Sequence, residues 1–349
     1  MAYRGLGLGV VLAAFGVLIG QEPNPAEPEV LTRGPIHEAY AAPVNQQPQP
    51  GPIANKPPPA PIEELPPDEK PEGDNVQWVP GYWSWDEDRT DFVWVSGFWR
   101  QPPPGRQWVP GVWRSAGESW QWTSGYWALA AQTQQEFVPQ PPPIPEAGPA
   151  VPAPGDNFIY VPGTWVYRET RFAWRPGFWC AHRPDWVYIP ACYTWTPYGY
   201  VFVDGYWDYP LARRGVLFAP VYFGVAYRPA VVYRPSFVVY NDAIFGALFV
   251  RPGCSTYYFG DYFDARYRGL GYRSWIDVRI GVGAYDPLWS YYRCLHATTP
   301  GWTVGISTLY AGRFRGDIPR PPRTFVQQNT VVNNIVTNNT VVNNTTVVN

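Results

Sequence analysis

The chain has 349 residues, 43 of them proline and 33 glycine. That length admits two or three domains, but so much proline and glycine keeps the globular part smaller than the length implies. With 26 basic and 28 acidic residues the net charge is -2, so no overall field suits nucleic acid or a strongly charged partner.

The first twenty residues, MAYRGLGLGVVLAAFGVLIG, place one positive charge at Arg4 ahead of an apolar run. Polar, proline-rich sequence follows, which is the layout of a signal peptide or N-terminal anchor (1–20). Gln21 stands where a lipoprotein would need cysteine. Export is therefore expected, to the periplasm, the cell envelope or the exterior. Residues 21–75 hold ten acidic residues against three basic ones, with runs such as KPPPAPIEELPPDEKPEG. Few aromatics and much proline predict a disordered tether, partly in polyproline II form.

A six-residue motif, aromatic-x-x-Gly-x-aromatic, then recurs eight times. In a first block (76–129) it comprises Trp78, Gly81 and Trp83; Trp94, Gly97 and Trp99; Trp108, Gly111 and Trp113; and Trp122, Gly125 and Trp127. A proline-rich linker (130–157) leads to a second block (158–214) with Tyr160, Gly163 and Trp165; Trp174, Gly177 and Trp179; Tyr188, Ala191 and Tyr193; and Phe202, Gly205 and Trp207. Further aromatics lie two residues before the motif, such as Phe92, Trp120 and Phe172, or two after it, such as Trp85, Tyr167 and Trp195. Spacing by two is strand periodicity. The motif's own aromatics are five apart, which on an unbroken strand sends them to opposite faces. A β-bulge at the glycine, in a positive-φ conformation, would bring them back to one face. The alternative is a tight turn within the motif. The bulged strand is preferred because turn signals already sit between motifs: DEDRTD from Asp86, PPPG from Pro102, Ala116-Gly117, RET from Arg168 and TPYG from Thr196.

The expected fold is thus an all-β repeat core of two four-stranded antiparallel meanders with glycine bulges, whose aromatic faces meet as a sandwich or close into a barrel. A smaller mixed α+β or irregular region rich in aromatics and arginine (215–325) follows. Within it 242–250 is a helix candidate, and Asp286-Pro287 heads another with an N-cap and an N1 proline. An Asn/Val/Thr low-complexity tail (326–349) ends the chain.

The segments Phe92-Val-Trp94-Val-Ser-Gly97-Phe-Trp99 and Phe172-Ala-Trp174-Arg-Pro-Gly177-Phe-Trp179 resemble the bacterial tryptophan-rich family named for its WxxGxW, or YxWGxW, repeat. The resemblance covers the two blocks and implies a bacterial exported or envelope-associated protein. It brings no catalytic residues with it. The seventh copy departs from the pattern at Ala191 and Tyr193.

Enzymatic chemistry finds little support. His37, His182 and His296 stand in no spacing that orients a nucleophile or a metal. The cluster Asp86, Glu87, Asp88 and Asp91 lacks a calcium-loop signature, and Asp204 takes a place that Pro or Ser fills in sister copies. No catalytic residue, cofactor or metal is assigned. The predicted function is that of a non-enzymatic exported structural or interaction protein. The alternative is a glycan-binding module, with Trp275, Trp289 and Trp302 as the platform because they fall outside the repeat register. Envelope polysaccharide or another envelope protein are the candidate partners; nucleic acid is not, and membrane contact is confined to an uncleaved N-terminal segment. Cys180, Cys192, Cys254 and Cys294 permit two disulfides in an oxidising compartment, in any of three pairings, or free thiols; Cys180–Cys192 would staple neighbouring strands of the second block and Cys254–Cys294 would tie the last region together. Twenty-four arginines against two lysines suggest cation–π stacking inside the fold.

Overall fold

The computed structural model describes residues 28–44, 48–68, 70–73, 75–145, 148–224, 232–240, 244–277 and 285–321. The expected leader (1–20) and tail (326–349) lie outside them. Among the described residues strands in antiparallel ladders dominate, and three helices of five residues or more follow near the end. Among the described residues no helix is long and apolar enough to cross a membrane.

The eight motifs fold as four hairpins, two motifs to each. In the first hairpin a tip ladder pairs Tyr82–Asp86 with Asp91–Val95, and a base ladder pairs Gln77–Val79 with Phe98–Arg100. The second joins Val112–Ala116 with Ser119–Thr123 at its tip and Arg106–Val109 with Tyr126–Leu129 at its base. The third and fourth repeat the plan, with tips Thr164–Arg168/Arg171–Arg175 and Cys192–Thr196/Gly199–Val203. Their bases are Phe158–Val161/Phe178–Ala181 and Val187–Ile189/Tyr206–Asp208. DEDRTD, Ala116-Gly117, RET and TPYG form the four tips, as the turn signals predicted.

Two expectations are corrected here. The four-stranded meanders do not form, because hairpins within a block share no ladder. Other chain takes the free edges: Ile53–Ala54 pairs with Ser119–Thr123, and Val221–Tyr222 joins Glu29–Val30 to the first hairpin's tip. Nor is there a bulge. Val79 faces Phe98 and, past the Pro80–Gly81 break, Tyr82 faces Val95, so both strands advance equally. The other three hairpins keep register in the same way. No motif glycine has a positive φ. An unshifted register leaves aromatics five apart on opposite faces of the ribbon. Each hairpin is therefore aromatic on both sides.

The presumed tether is also corrected. Residues 28–44 and 48–64 contribute the edge strands named above and the buried stretch His37, Glu38, Ala39 and Tyr40. Composition predicts solvation for proline-rich chain, but here its backbone bonds both the repeats and the chain after them: Trp122 N–H donates to Pro52 O, and the N–H groups of Leu31, Ile36 and Leu65 donate to Pro220 O, Tyr257 O and Tyr233 O. After the hairpins, Gly34–Pro35, Thr256–Phe259, Leu248–Arg251 and Arg273–Ser274 form a four-stranded sheet. Of the 242–250 stretch expected as helix, 242–243 lie outside the described residues, 244–245 are helical and Leu248–Arg251 is strand. Helices α1 (Ala265–Gly269), α2 (Pro287–Leu295) and α3 (Trp302–Arg315) follow. The start of α2 matches its sequence signal: Pro287 opens it and the Asp286 carboxylate accepts the Trp289 N–H at 2.8 Å.

One core unites these parts, drawing Ile36 and Tyr40 from the N-terminal stretch, Phe98, Trp127 and Ile189 from hairpins, and Phe249, Trp275, Leu288 and Tyr310 from the last region. At its polar centre the fully buried Arg100, from the base of the first hairpin, meets Asp208, from the base of the fourth, at 2.7 and 2.8 Å. Arg214 reaches the same carboxylate at 3.2 Å and donates to Tyr40 O, while Arg100 donates to Ala39 O. Two guanidiniums on one carboxylate thus lock both blocks to the N-terminal stretch.

Candidate functional site: the aromatic hairpins and the proline-rich chain on them

The opposite-face arrangement explains the motif. The first aromatic of one motif pairs across the strand with the last aromatic of its partner, on each face of each hairpin. Trp78–Trp99 and Trp83–Trp94 stand at 5.5 and 5.2 Å between centroids, both edge to face. The same pairs recur as Trp108–Trp127, Trp113–Trp122, Tyr160–Trp179, Trp165–Trp174, Tyr188–Trp207 and Tyr193–Phe202, at 5.0 to 5.4 Å. All sixteen motif aromatics are engaged in this way, a geometry in which quadrupoles attract.

The glycine is the space beneath a ring. A Cβ at Gly97 would lie 2.7 Å from Cζ2 of Trp78, and one at Gly81 would lie 2.7 Å from Cε2 of Trp94. Gly111 and Gly125 are covered likewise by Trp122 and Trp108, Gly177 by Tyr160 and Gly205 by Tyr188. In every case the covering ring is the first aromatic of the partner motif. Where Ala191 replaces glycine, the partner motif begins with Phe202, the smallest ring among the eight.

At the break between ladders, carboxylates accept from the N–H groups of Gly81, Gly97, Gly125 and Gly205. Glu64 accepts from Gly81 N (2.9 Å), Gly97 N (2.9 Å) and the Trp94 indole N–H (3.0 Å). On the second hairpin Glu38 accepts from Gly125 N (2.8 Å) and the Trp122 indole (2.9 Å). The repeated element is thus a carboxylate held by the Trp and Gly of one W-x-x-G. In the fourth hairpin Phe202 has no indole N–H to give, and Gly205 N donates at 2.9 Å to the carboxylate of its neighbour Asp204. Burial pushes the Glu38 carboxyl up to about 7 against the pull of its donors, and raises Glu64 for the same reason. His37 beside it, with Nε2 on Pro80 O, is pushed down to about 4 by burial.

The last tryptophans of the motifs hold backbone carbonyls of proline-rich chain. On the first hairpin Trp83 donates to Ala60 O at 3.0 Å and Trp99 to Pro67 O at 3.2 Å, bracketing Glu64. On the third, Trp165 donates to Pro143 O at 3.1 Å and Trp179 to Val151 O at 3.0 Å. Two proline-rich segments therefore lie across equivalent indoles of two hairpins. Sequence reasoning found these rings but not Glu38 or Glu64. The signal available for them was only a glutamate within proline-rich chain.

The predicted glycan platform does not exist as drawn. Trp275 is 0% exposed, donates to Phe245 O and meets Trp289 edge-on at 83°. Trp289 and Trp302 stack on one another, and His296 covers Trp302 at 4.4 Å. The cysteines are four free thiols. Cys180 and Cys192 belong to different hairpins, Cys254 lies in a 3-10 turn, and Cys294 sits in α2 facing Asp156 O and Phe158 O. The acidic tip of the first hairpin is an ion-pair cluster: Asp88 with Arg33, Glu87 with Arg251, Asp86 and Glu29 with Arg89, and Asp91 with Lys56. Arginines also cover rings, as Arg106 does Tyr206 at 4.5 Å and Arg183 does Trp207 at 4.6 Å.

Fold and site together define a tryptophan-rich repeat protein whose unit is a two-motif hairpin. Comparison with known families agrees: the model described as WXXGXW repeat (2 copies) matches residues 73–100, 155–180 and 183–208, one hairpin each, so the chain carries the WXXGXW repeat. The second hairpin has the same geometry outside those matches. No curated protein and no solved structure matches the chain.

Proposed function

We propose that this chain is a non-enzymatic structural and interaction protein of the bacterial cell envelope, in which rigid aromatic hairpins hold extended proline-rich chain. One observation carries the reading: indole N–H groups of two different hairpins donate to carbonyls of two different proline-rich segments at equivalent positions. Preformed extended chain of this kind docks on aromatic surfaces at low entropic cost. The leading apolar segment and the repeat's resemblance support the envelope. No observation favours a sugar platform once Trp275 is placed in the core.

Fractionation of cells producing the tagged full chain tests the placement. The protein is expected in periplasmic or envelope fractions, either processed after Gly20 or retaining residues 1–20. Recovery solely from the cytosol would overturn the envelope reading.

A further inference from the structure

We propose that the outer edge of the third hairpin's strand Arg171–Arg175 is a docking site for an acidic, extended segment of another protein chain, which adds to the hairpin as a third strand. This deepens the reading of the hairpins as holders of extended chain, and rests on it. In each of the other three hairpins the equivalent strand carries an added segment on that edge. Val221 pairs with Trp94 in the first, Ala54 with Trp120 in the second and Val138 with Tyr200 in the fourth, all antiparallel. Each added segment has a proline beside its paired residues: Pro220, Pro52 and Pro139. The backbone bonds are direct: Val138 N–H donates to Tyr200 O, Tyr200 N–H to Val138 O, and Trp122 N–H to Pro52 O. Alternate residues of a strand turn their N–H and C=O to one edge. Phe172 and Trp174 take the places of Tyr200 and Trp122, so their backbone groups turn outward. Arg171, Ala173 and Arg175 beside them are exposed. Among the described residues no strand or bridge pairs with that edge.

A row of open backbone groups is a template for another strand, and charge selects which one. Arg168 and Arg171 face each other at the exposed tip, with Glu169 the only acid in the loop, and neither arginine has an ion pair among the described residues. Arg175 is already paired with Asp204 at 3.1 Å. A second copy adding by the same edge, antiparallel about Ala173, would set Arg171 opposite Arg175, and like charges there oppose self-addition. The second hairpin shows where an acid would stand. Ala54 faces Trp120 there, and one step on the register brings Asn55 level with Ser119, whose place in the third hairpin is taken by Arg171. A glutamate at that position of an added segment meets Arg171 across the strands.

The test is fluorescence polarisation of the full chain against a labelled synthetic peptide, GPIANKPPP (residues 51–59), carrying Asn55→Glu and Lys56→Glu. Two counterparts serve as controls. One is the acidic peptide with N-methylalanine in the place of Ala54, which lacks the strand-forming N–H; the other is a basic peptide carrying Asn55→Lys alone. Affinity is expected to fall about tenfold for the methylated peptide, which loses a backbone hydrogen bond, and about fivefold for the basic one. Arg171→Glu gives Arg168 an opposite charge across the ladder, so the hairpin keeps its fold, and should turn the preference toward the basic peptide. Equal affinity for methylated and unmethylated peptides, an unchanged charge preference in Arg171→Glu, or no binding of the acidic peptide would overturn the proposal. A wild-type dimer in sedimentation that the acidic peptide dissociates would assign the edge to a second copy and overturn it too. Cell fractionation plays no part in these results, and the indole bonds to Ala60, Pro67, Pro143 and Val151 stand whatever the peptides do. Failure here is therefore separable from failure of that reading.

Discussion

The first and third hairpins share a backbone plan and differ in what surrounds them. The first has Trp83, Phe92 and Trp94 buried, its tip extended into a four-stranded sheet, its break closed by Glu64 and its base fixed by Arg100. The third has two-stranded ladders only, an exposed Phe178 and indole bonds to proline-rich chain at the surface. The aromatic pairs stand at the same positions in both, with Tyr160 in the place of Trp78. The repeat therefore specifies a hairpin, while its stability and its use depend on the chain laid upon it.

The base of the first hairpin offers the sharpest contrast. Asp208→Ala leaves Arg100 and Arg214 buried without their anion, which destabilises by about 3–5 kcal/mol, because removing one partner of a buried ion pair strands the other. Cys180, the residue in the third hairpin that corresponds to Arg100, is half-buried and donates its thiol to Ala181 O at 3.6 Å. Cys180→Ala should change stability by less than about 1 kcal/mol in denaturant unfolding. Comparable losses from both variants would break the comparison.

A pH dependence follows from the neighbours Glu38 and His37. The Glu38 carboxyl is raised from 4.5 to about 7, so its contribution is full below pH 4.5 and lost as pH rises through 7. His37 is lowered from 6.5 to about 4, so its contribution is full above 6.5 and lost as pH falls through 4. The two oppose each other across the same interval. Glu38→Gln removes the first, and the variant should gain about 3 kcal/mol on wild type between pH 4.5 and 7.5. Thermal melts at those two pH values measure it; a pH-independent difference contradicts the buried carboxyl.

Glycine tests the ring that covers it. Gly97→Ala forces Trp78 and the Val79 carbonyl apart and should destabilise by about 1–3 kcal/mol by overpacking, despite an ordinary φ. Circular dichroism melts that leave Gly97→Ala unchanged would remove the packing account of the motif.

Much of this was legible in the sequence. Period-two aromatics around the motif gave the strands, and Asp-, Gly- and Thr-containing turns gave the four tips. The odd spacing of five implies opposite faces on an unbroken strand, whereas burial against a single core calls for one face and so predicts a bulge that the structure lacks. What fills the second face is proline-rich chain, and composition argues for its solvation. Glu64 stands about thirty residues from Gly97 and Trp94, and Glu38 farther still from Gly125. No periodicity links a carboxylate to a distant glycine N–H, so the clamp is a tertiary fact. Trp275, outside the repeat register, was expected on the surface, and a single ring without pattern carries no signal of its face.

The claim on which the account turns is that one W-x-x-G holds a carboxylate through its indole and its glycine N–H. A double-mutant cycle of Trp94→Phe with Glu64→Gln, read by denaturant unfolding, tests it most directly. The account predicts a coupling of about 1 kcal/mol or more between the two sites. Strict additivity of the two losses would contradict it.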